Sequence, residues 1–306
     1  MTGSVPEGAR VFDRQRVRQN RARAAATLDG ADFLLREVAE RLADRLDDIQ
    51  RRFPLAVDLG CHRGELGRAL AGRGGVVRLV QADLAPEMAR QAGAQAVACD
   101  EELLPFAEGS LDAVFSCLSL HWVNDLPGAL VQIRRALKPD GLFLAALLGG
   151  DTLTELRQAW LEAESEIEGG VSPRVSPFAD LRDAAGLLQR TGFALPVADA
   201  DRLTVTYPDA LALMRELKAM GEANALIERR RTPTRRDTLA AAAAIYRSRF
   251  AETGDRVRAT FQAIYLIGWA PSPDQPKALR PGSAAERLAA ALGTEERKAG
   301  ERAKPG

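Results

Sequence analysis

The feature that most constrains this chain is the run Leu55-Ala56-Val57-Asp58-Leu59-Gly60-Cys61-His62-Arg63-Gly64-Glu65-Leu66-Gly67. A short apolar segment ends in an acid, a glycine-bearing turn follows, and a helical pattern begins at Glu65. Strand, turn and helix in that order open a βαβ unit, whose glycines let a ligand lie against bare backbone. A dinucleotide fingerprint requires glycines at the first, third and sixth loop positions. Here those positions hold Gly60, His62 and Glu65, so a pyrophosphate cradle is not expected. An acid at the end of the first strand suits a ligand with a cationic group. S-adenosylmethionine carries an α-ammonium and a sulfonium and no phosphate, and is the cofactor expected at Asp58, Gly60, Cys61 and Gly64.

The chain on either side repeats the alternation. A basic N-terminal arm leads into an amphipathic helix over Asp32–Gln50, with Leu34, Val38, Leu42, Leu46 and Ile49 at helical spacing. After the first loop come a helix over Glu65–Gly72, a strand over Val76–Ala82, a helix from Pro86, and strands over Ala96–Cys99 and Leu111–Ser116. A helix over Leu126–Leu137, a turn at Lys138–Gly141 and a strand over Leu142–Leu148 complete the core. Strands alternating with helices of this length predict right-handed crossovers and a parallel sheet covered on both faces. The fold class is therefore α/β, Rossmann-like, with an N-terminal helical arm over residues 1–53 and a core over 54–150.

Acids recur where the strands end. Asp83 and Asp100-Glu101 should share the ligand edge with Asp58, outside the carboxyl ends of the strands. Asp83, with Leu84 beside it, can accept from ribose hydroxyls, and Asp100 or Glu101 from the adenine amine. The plainer reading of any one of them is an acid that caps the next helix. Three at successive strands make the strongest signal in the chain.

Beyond the core, helices are predicted over Asp151–Glu168 and Phe178–Thr191, and a strand over Arg202–Tyr207. Helices over Asp209–Gly221 and Arg235–Phe250 form an insertion at about 208–254, before an edge strand over Val257–Trp269. Residues 151–270 thus make the C-terminal part of the fold. From Pro271 the chain is rich in Pro, Gly, Ala and charge, and 271–306 reads as a flexible tail with a short helix near Ala284–Leu292.

Composition excludes several classes. No apolar run reaches the ~18 residues that span a bilayer, and Met1–Arg10 holds no signal core, so a cytoplasmic setting is expected. Cys61, Cys99 and Cys117 form no C-x-x-C pair, against a disulfide framework or a zinc site. With 42 basic and 42 acidic side chains there is no global pull toward nucleic acid. Arginines do cluster at Arg14, Arg16, Arg18, Arg21 and Arg23, and at Arg229, Arg230, Arg231, Arg235 and Arg236. They read as solvated faces or as patches for an acidic protein. Without interleaved aromatics, RNA ranks below protein.

The two histidines both fall near the ligand edge. His121, after the fourth strand, could act as a general base, a common role of imidazole near neutral pH, or orient Trp122. Non-haem iron held by His62, His121 and Glu65 or Asp151 is an alternative that no spacing supports, and no metal is expected. Asp151 and Glu155 could receive a cationic substrate group, or simply sit in a helix first turn.

Several segments resemble a known family. Asp58–Leu148 looks like the core of class I methyltransferases. Val11-Phe12-Asp13-Arg14, Leu103-Leu104-Pro105-Phe106, Leu118–Pro127, Leu137–Gly141, Gly149–Arg157, Glu168–Pro173, Met220–Ala225 and Arg236–Tyr246 resemble the complex I assembly factor five family of arginine hydroxylases, alphaproteobacterial type. The resemblance departs at His62, where a glycine is commoner. It implies a cofactor-binding enzyme that modifies an arginine, by hydroxylation or methylation, on the iron–sulfur subunit of NADH dehydrogenase. A malonyl-carrier O-methyltransferase of the biotin pathway and a non-catalytic assembly factor are the competing expectations.

Overall fold

The computed structural model describes residues 10–276, 288–291 and 293–294. The chain divides into two units, Met1–Pro271 and Ser272–Gly306. In the second unit the described part holds a four-residue helix, Leu288–Ala291. Most of the predicted tail, and most of Met1–Arg10, lie outside the described residues.

The first unit is built on one sheet in the order β3-β2-β1-β4-β5-β8-β6, with β7 paired to β8. The strands are β1 (Ala56–Leu59), β2 (Leu79–Asp83), β3 (Ala96–Ala98), β4 (Leu111–Cys117), β5 (Leu137–Leu148), β6 (Ala194–Tyr207), β7 (Ala251–Glu252) and β8 (Arg256–Trp269). The first five pair in parallel, as the alternation predicts, and β8 runs antiparallel to both β5 and β6. Apolar layers cover both faces. One carries Leu34, Val38, Leu42 and Leu46 from α2 (Phe33–Asp47), the helix whose stripe the sequence displayed. The other carries Leu130 and Ile133 from α5 (Leu126–Ala136) and Leu188 from α7 (Leu181–Arg190).

Two expectations about the sheet need correction. Val257–Trp269 is not an edge strand: β8 sits between β5 and β6, and β6 forms the edge. Its two faces are both buried, with Phe261 and Tyr265 on one and Ile264 and Leu266 on the other. Arg258, Thr260 and Gln262 alternate with apolar residues in its first half and had imitated a solvent-facing side. Lys138–Gly141 is not a connection between elements but an irregularity inside β5, whose register jumps from Leu111↔Leu137 to Ala113↔Leu142 with Asp140 at φ 62°.

The N-terminal arm is a helix, α1 (Arg14–Ala24), capped by Asp13, whose side chain accepts from the Arg16 N–H at 3.0 Å. Its buried face is Val17, Asn20, Arg21 and Ala24. The spacing is helical, but two of the four are polar, so an apolar pattern search misses it. Nor are its arginines, or those near 230, a simple solvated face: Arg14 and Arg21 turn inward, Arg229 pairs with Asp13, and Arg230 with Glu168. The remaining helices are α3 (Glu65–Ala69), α4 (Pro86–Ala92), α6 (Thr154–Glu168), α8 (Ala210–Met220) and α9 (Arg236–Phe250). The last two lie between β6 and β8 in sequence. No helix of the described residues is long and apolar enough to cross a membrane.

Candidate functional site

The strand tips meet the first loop as expected, with left-handed backbone at Gly60 (φ 75°), His62 (φ 50°) and Gly64 (φ 84°). The N–H groups of Gly60 and Cys61 both donate to the Ala82 carbonyl, at 2.7 and 2.9 Å, tying the loop to β2. A Cβ at Gly60 would collide with the Ser119 hydroxyl, and one at Gly64 with Gln81 Oε1 and the Ala92 carbonyl. Glycine is thus required at both positions by protein packing. His62 holds the strained backbone by placing Nε2 at 3.2 Å from the Cys117 carbonyl and 3.3 Å from that of Leu118.

Asp58 is 0% exposed, and neither carboxylate oxygen has a hydrogen-bond partner. Burial, then the charges of Glu65 and Asp83, push its carboxyl well above the ordinary range. Such a group is an acceptor awaiting a donor, and a cationic or N–H-bearing ligand group would satisfy it. The Cys61 thiol beside it is also pushed up by burial and by Asp58, Asp83 and Glu65, which disfavours its thiolate.

The other acids have found partners within the protein. Asp83 accepts from the His62 N–H at 3.0 Å and the Ala85 N–H at 2.8 Å. Arg21 of α1 reaches across the sheet edge: Nη1 donates to Glu101 Oε1 at 2.7 Å and lies 3.6 Å from Asp83, while Nη2 donates to Ser119 Oγ at 2.7 Å. Ser119 in turn donates to Glu101 at 2.6 Å. Arg14 pairs with Glu101, and with Asp100 at 2.6 Å. Burial alone would raise the Glu101 carboxyl, but the charges of Arg21 and Arg14 outweigh it and hold the group far below the ordinary range. Asp83 sits farther from Arg21, burial wins there, and its carboxyl rises. Leu84 packs beside Phe12, Val17, Trp122, Ala225 and Leu226, a small cluster that fastens α1 and the insertion to the core.

His121 and Trp122 lie on a 3-10 turn, Leu120–Trp122, after β4. Their partner is a residue the sequence reading did not single out. Glu222, just past α8, lies with Oε2 3.2 Å from His121 Nε2 and 3.0 Å from Trp122 Nε1. The contact fixes the His121 ring beside Trp122. A cavity of about 300 Å³ opens there, bordered by Trp122, Glu222, Trp160, Phe178, Arg174 and Leu153 among others. None of the predicted catalytic residues, His121, Asp151 and Glu155, is among its lining residues; His121 stands behind the wall, against Glu222, Trp122 and Phe178. Asp151 is half exposed and pairs with Arg202, while Glu155 accepts from the Thr260 hydroxyl at 2.6 Å and its N–H at 3.1 Å. The iron alternative is not assembled: among the described residues no group of three or more His, Cys, Asp or Glu is placed to hold a metal ion.

Residues 57–145 match the family model described as a methyltransferase domain. The mitochondrial arginine-hydroxylase NDUFAF5 of Danio rerio is 44% identical over 288 residues, covering 92% of this chain and 89% of that one. The chain belongs to this arginine-hydroxylase family. The Homo sapiens member is 43% identical over 91% of this chain and 82% of its own length. A malonyl-[acyl-carrier protein] O-methyltransferase of Xylella fastidiosa is 36% identical, over 86% and 90%. Among solved structures, a Bacillus halodurans protein assigned as a methyltransferase matches with a TM-score of 0.54 at 14% identity, over 77% of this chain and all of that one. That likeness establishes for this family member the class I methyltransferase fold, Rossmann-like and α/β.

Proposed function

We propose that this chain binds S-adenosylmethionine and modifies an arginine of a respiratory NADH dehydrogenase subunit during complex I assembly. The reading is carried by where the similarity lies. The methyltransferase-domain match ends at residue 145, whereas the arginine-hydroxylase relatives align over 86–92% of the chain at 37–44% identity, against 36–39% for the malonyl-carrier O-methyltransferases. Coverage that wide takes in segments that build the cavity beside His121.

The residues present fit the cofactor at its amino-acid end, where the unpartnered Asp58 would receive the α-ammonium beside Gly60, Cys61 and Gly64. Asp83 and Leu84 would take the ribose, and Asp100 or Glu101 the adenine, once Arg14 and Arg21 yield those carboxylates. When bound, the cofactor supplies an electrophilic methyl group. His121 would hold or accept a proton beside the substrate, with Glu222 fixing its ring. Asp151, half exposed, remains a candidate for contact with the client protein outside the cavity, whereas Glu155 is buried against Thr260 and is not. A cytoplasmic setting and an iron–sulfur subunit as client belong to the same proposal.

Deletion of the gene, followed by mass spectrometry of the NADH dehydrogenase subunits, tests it. A lost arginine mark of about 16 Da means hydroxylation and one of about 14 Da methylation, masses that follow from adding oxygen or methylene. An unchanged arginine overturns both forms. The second reading, malonyl-carrier O-methylation, is favoured by the Xylella fastidiosa relative and predicts rescue of a biotin auxotroph.

A further inference from the structure

Buried acids in this molecule are, with few exceptions, met by arginine. Glu101 faces Arg21 and Arg14, Glu164 faces Arg174, Glu65 faces Arg68, and Glu155 has Arg258 within 3.7 Å. Asp58, at the end of β1, is an exception. Glu222, only partly buried, is also without an arginine, and it borders a cavity. Among the described residues its one ion-pair partner is His121, whose charge exists only while the imidazole is protonated.

Glu222 is nonetheless set up as an anion. Burial pushes its carboxyl up, but the charge and hydrogen bond of His121, then His62 and Arg21, outweigh it and hold the group below the ordinary range. Its side chain is 15% exposed and borders the cavity. Oε2 carries the closer contacts to Trp122 and His121, while the nearest donor to Oε1 is the same indole at 3.3 Å. Acceptor capacity is therefore left over on Oε1.

The walls suit a flat cation. Trp122, Trp160 and Phe178 border the cavity, and the guanidinium of Arg174 already lies 4.7 Å from the Trp160 ring centroid. That cation is answered by Glu164, and the remaining lining cation, Lys218, is exposed. At about 300 Å³ the space is at the small end of the ~300–1,000 Å³ range of ligand sites, right for one side chain and its tether.

We propose that Glu222 receives the guanidinium of the substrate arginine, its carboxylate accepting the planar N–H groups between the aromatic walls. This rests on the arginine-modifying reading and names the residue that reads the substrate. Charge, forked geometry and ring stacking together select arginine. A lysine lacks the fork, citrulline lacks the charge, and a malonyl carboxylate would face a like charge.

The indole N–H of Trp122 reports directly on Glu222. In protein labelled with ¹⁵N-tryptophan, three indole signals are expected, from Trp122, Trp160 and Trp269, and Trp122→Phe assigns the first. Nα-acetyl-arginine methylamide should move the Trp122 signal saturably, and the citrulline analogue should bind roughly tenfold more weakly or less. Glu222→Gln keeps an acceptor for the indole and should abolish the arginine response while the Trp269 signal stays in place. An arginine response that survives in Glu222→Gln, or a citrulline response equal to it, overturns the assignment; so does a response to monomethyl malonate in place of arginine. In cells, a subunit still marked by Glu222→Gln protein defeats this assignment alone. A subunit with no enzyme-dependent arginine mark in the wild type defeats the reading beneath it.

Discussion

Asp58 and Glu101 lie two strands apart on one sheet edge, and both are wholly buried. They end in opposite states. Asp58 has no donor and its carboxyl rises, whereas Glu101 has two guanidiniums and a hydroxyl and its carboxyl falls. Burial is common to the two, so the partner decides which acid is charged. The contrast also divides the site by task. One acid is left needing something from outside, and the other is held by the protein's own helix α1.

Removing the partner should have the largest effect. Arg21→Ala leaves Glu101 short of a cation in a dry site, and the loss of one member of a buried pair costs about 3–5 kcal/mol. Urea denaturation should record it, and a loss below about 1 kcal/mol would mean that Arg14 alone suffices.

The pH dependence should separate the two acids next. The Glu101 carboxyl is lowered from 4.5, so its contribution is complete above that value and is lost as the pH falls toward the lowered one. The Asp58 carboxyl is raised above 3.8, so its contribution is complete below that value and is lost as the pH rises through the raised one. Denaturation midpoints followed from about pH 7 down to about pH 3 should decline, and Glu101→Gln should flatten that decline. Asp58→Asn should instead remove a loss on the alkaline side; the same slope in both variants would erase the distinction.

A smaller effect is expected at Ser119, which accepts from Arg21 and donates to Glu101. Ser119→Ala should cost about 1.5–3 kcal/mol, the usual worth of a hydrogen bond to a charged group. Smallest in stability is Asp58→Asn. It exchanges one unpartnered polar group for another, so below about pH 4, where the carboxyl is protonated in both folded and unfolded chains, unfolding should shift by less than about 1 kcal/mol. Calorimetric uptake of S-adenosylmethionine should nevertheless vanish, and retained uptake would remove Asp58 from the cofactor site.

The core was legible because its signals are local. Asp58, Asp83 and Glu101 were found from where apolar runs end, and Gly60 and Gly64 from their place in the turn. The arginines of α1 were visible as residues but not as a helix face, because Asn20 and Arg21 stand where an apolar stripe would be read. Glu222 gave one faint signal, its place in a segment resembling the arginine hydroxylases. Its contact with His121 joins residues 101 positions apart, a distance at which no periodicity survives.

By itself, the sequence determined the alternation of strand and helix, the acid at each of three strand ends, and the glycine-bearing loop. Period and turn chemistry are properties of neighbours along a chain. Only the tertiary structure decided that β8 lies inside the sheet, that Arg21 neutralises Glu101 and not Asp58, and that Glu222 closes on His121 beside an aromatic cavity. Strand order and ion pairing are settled by which distant surfaces come together, and burial then magnifies every match or mismatch between the charges that meet there.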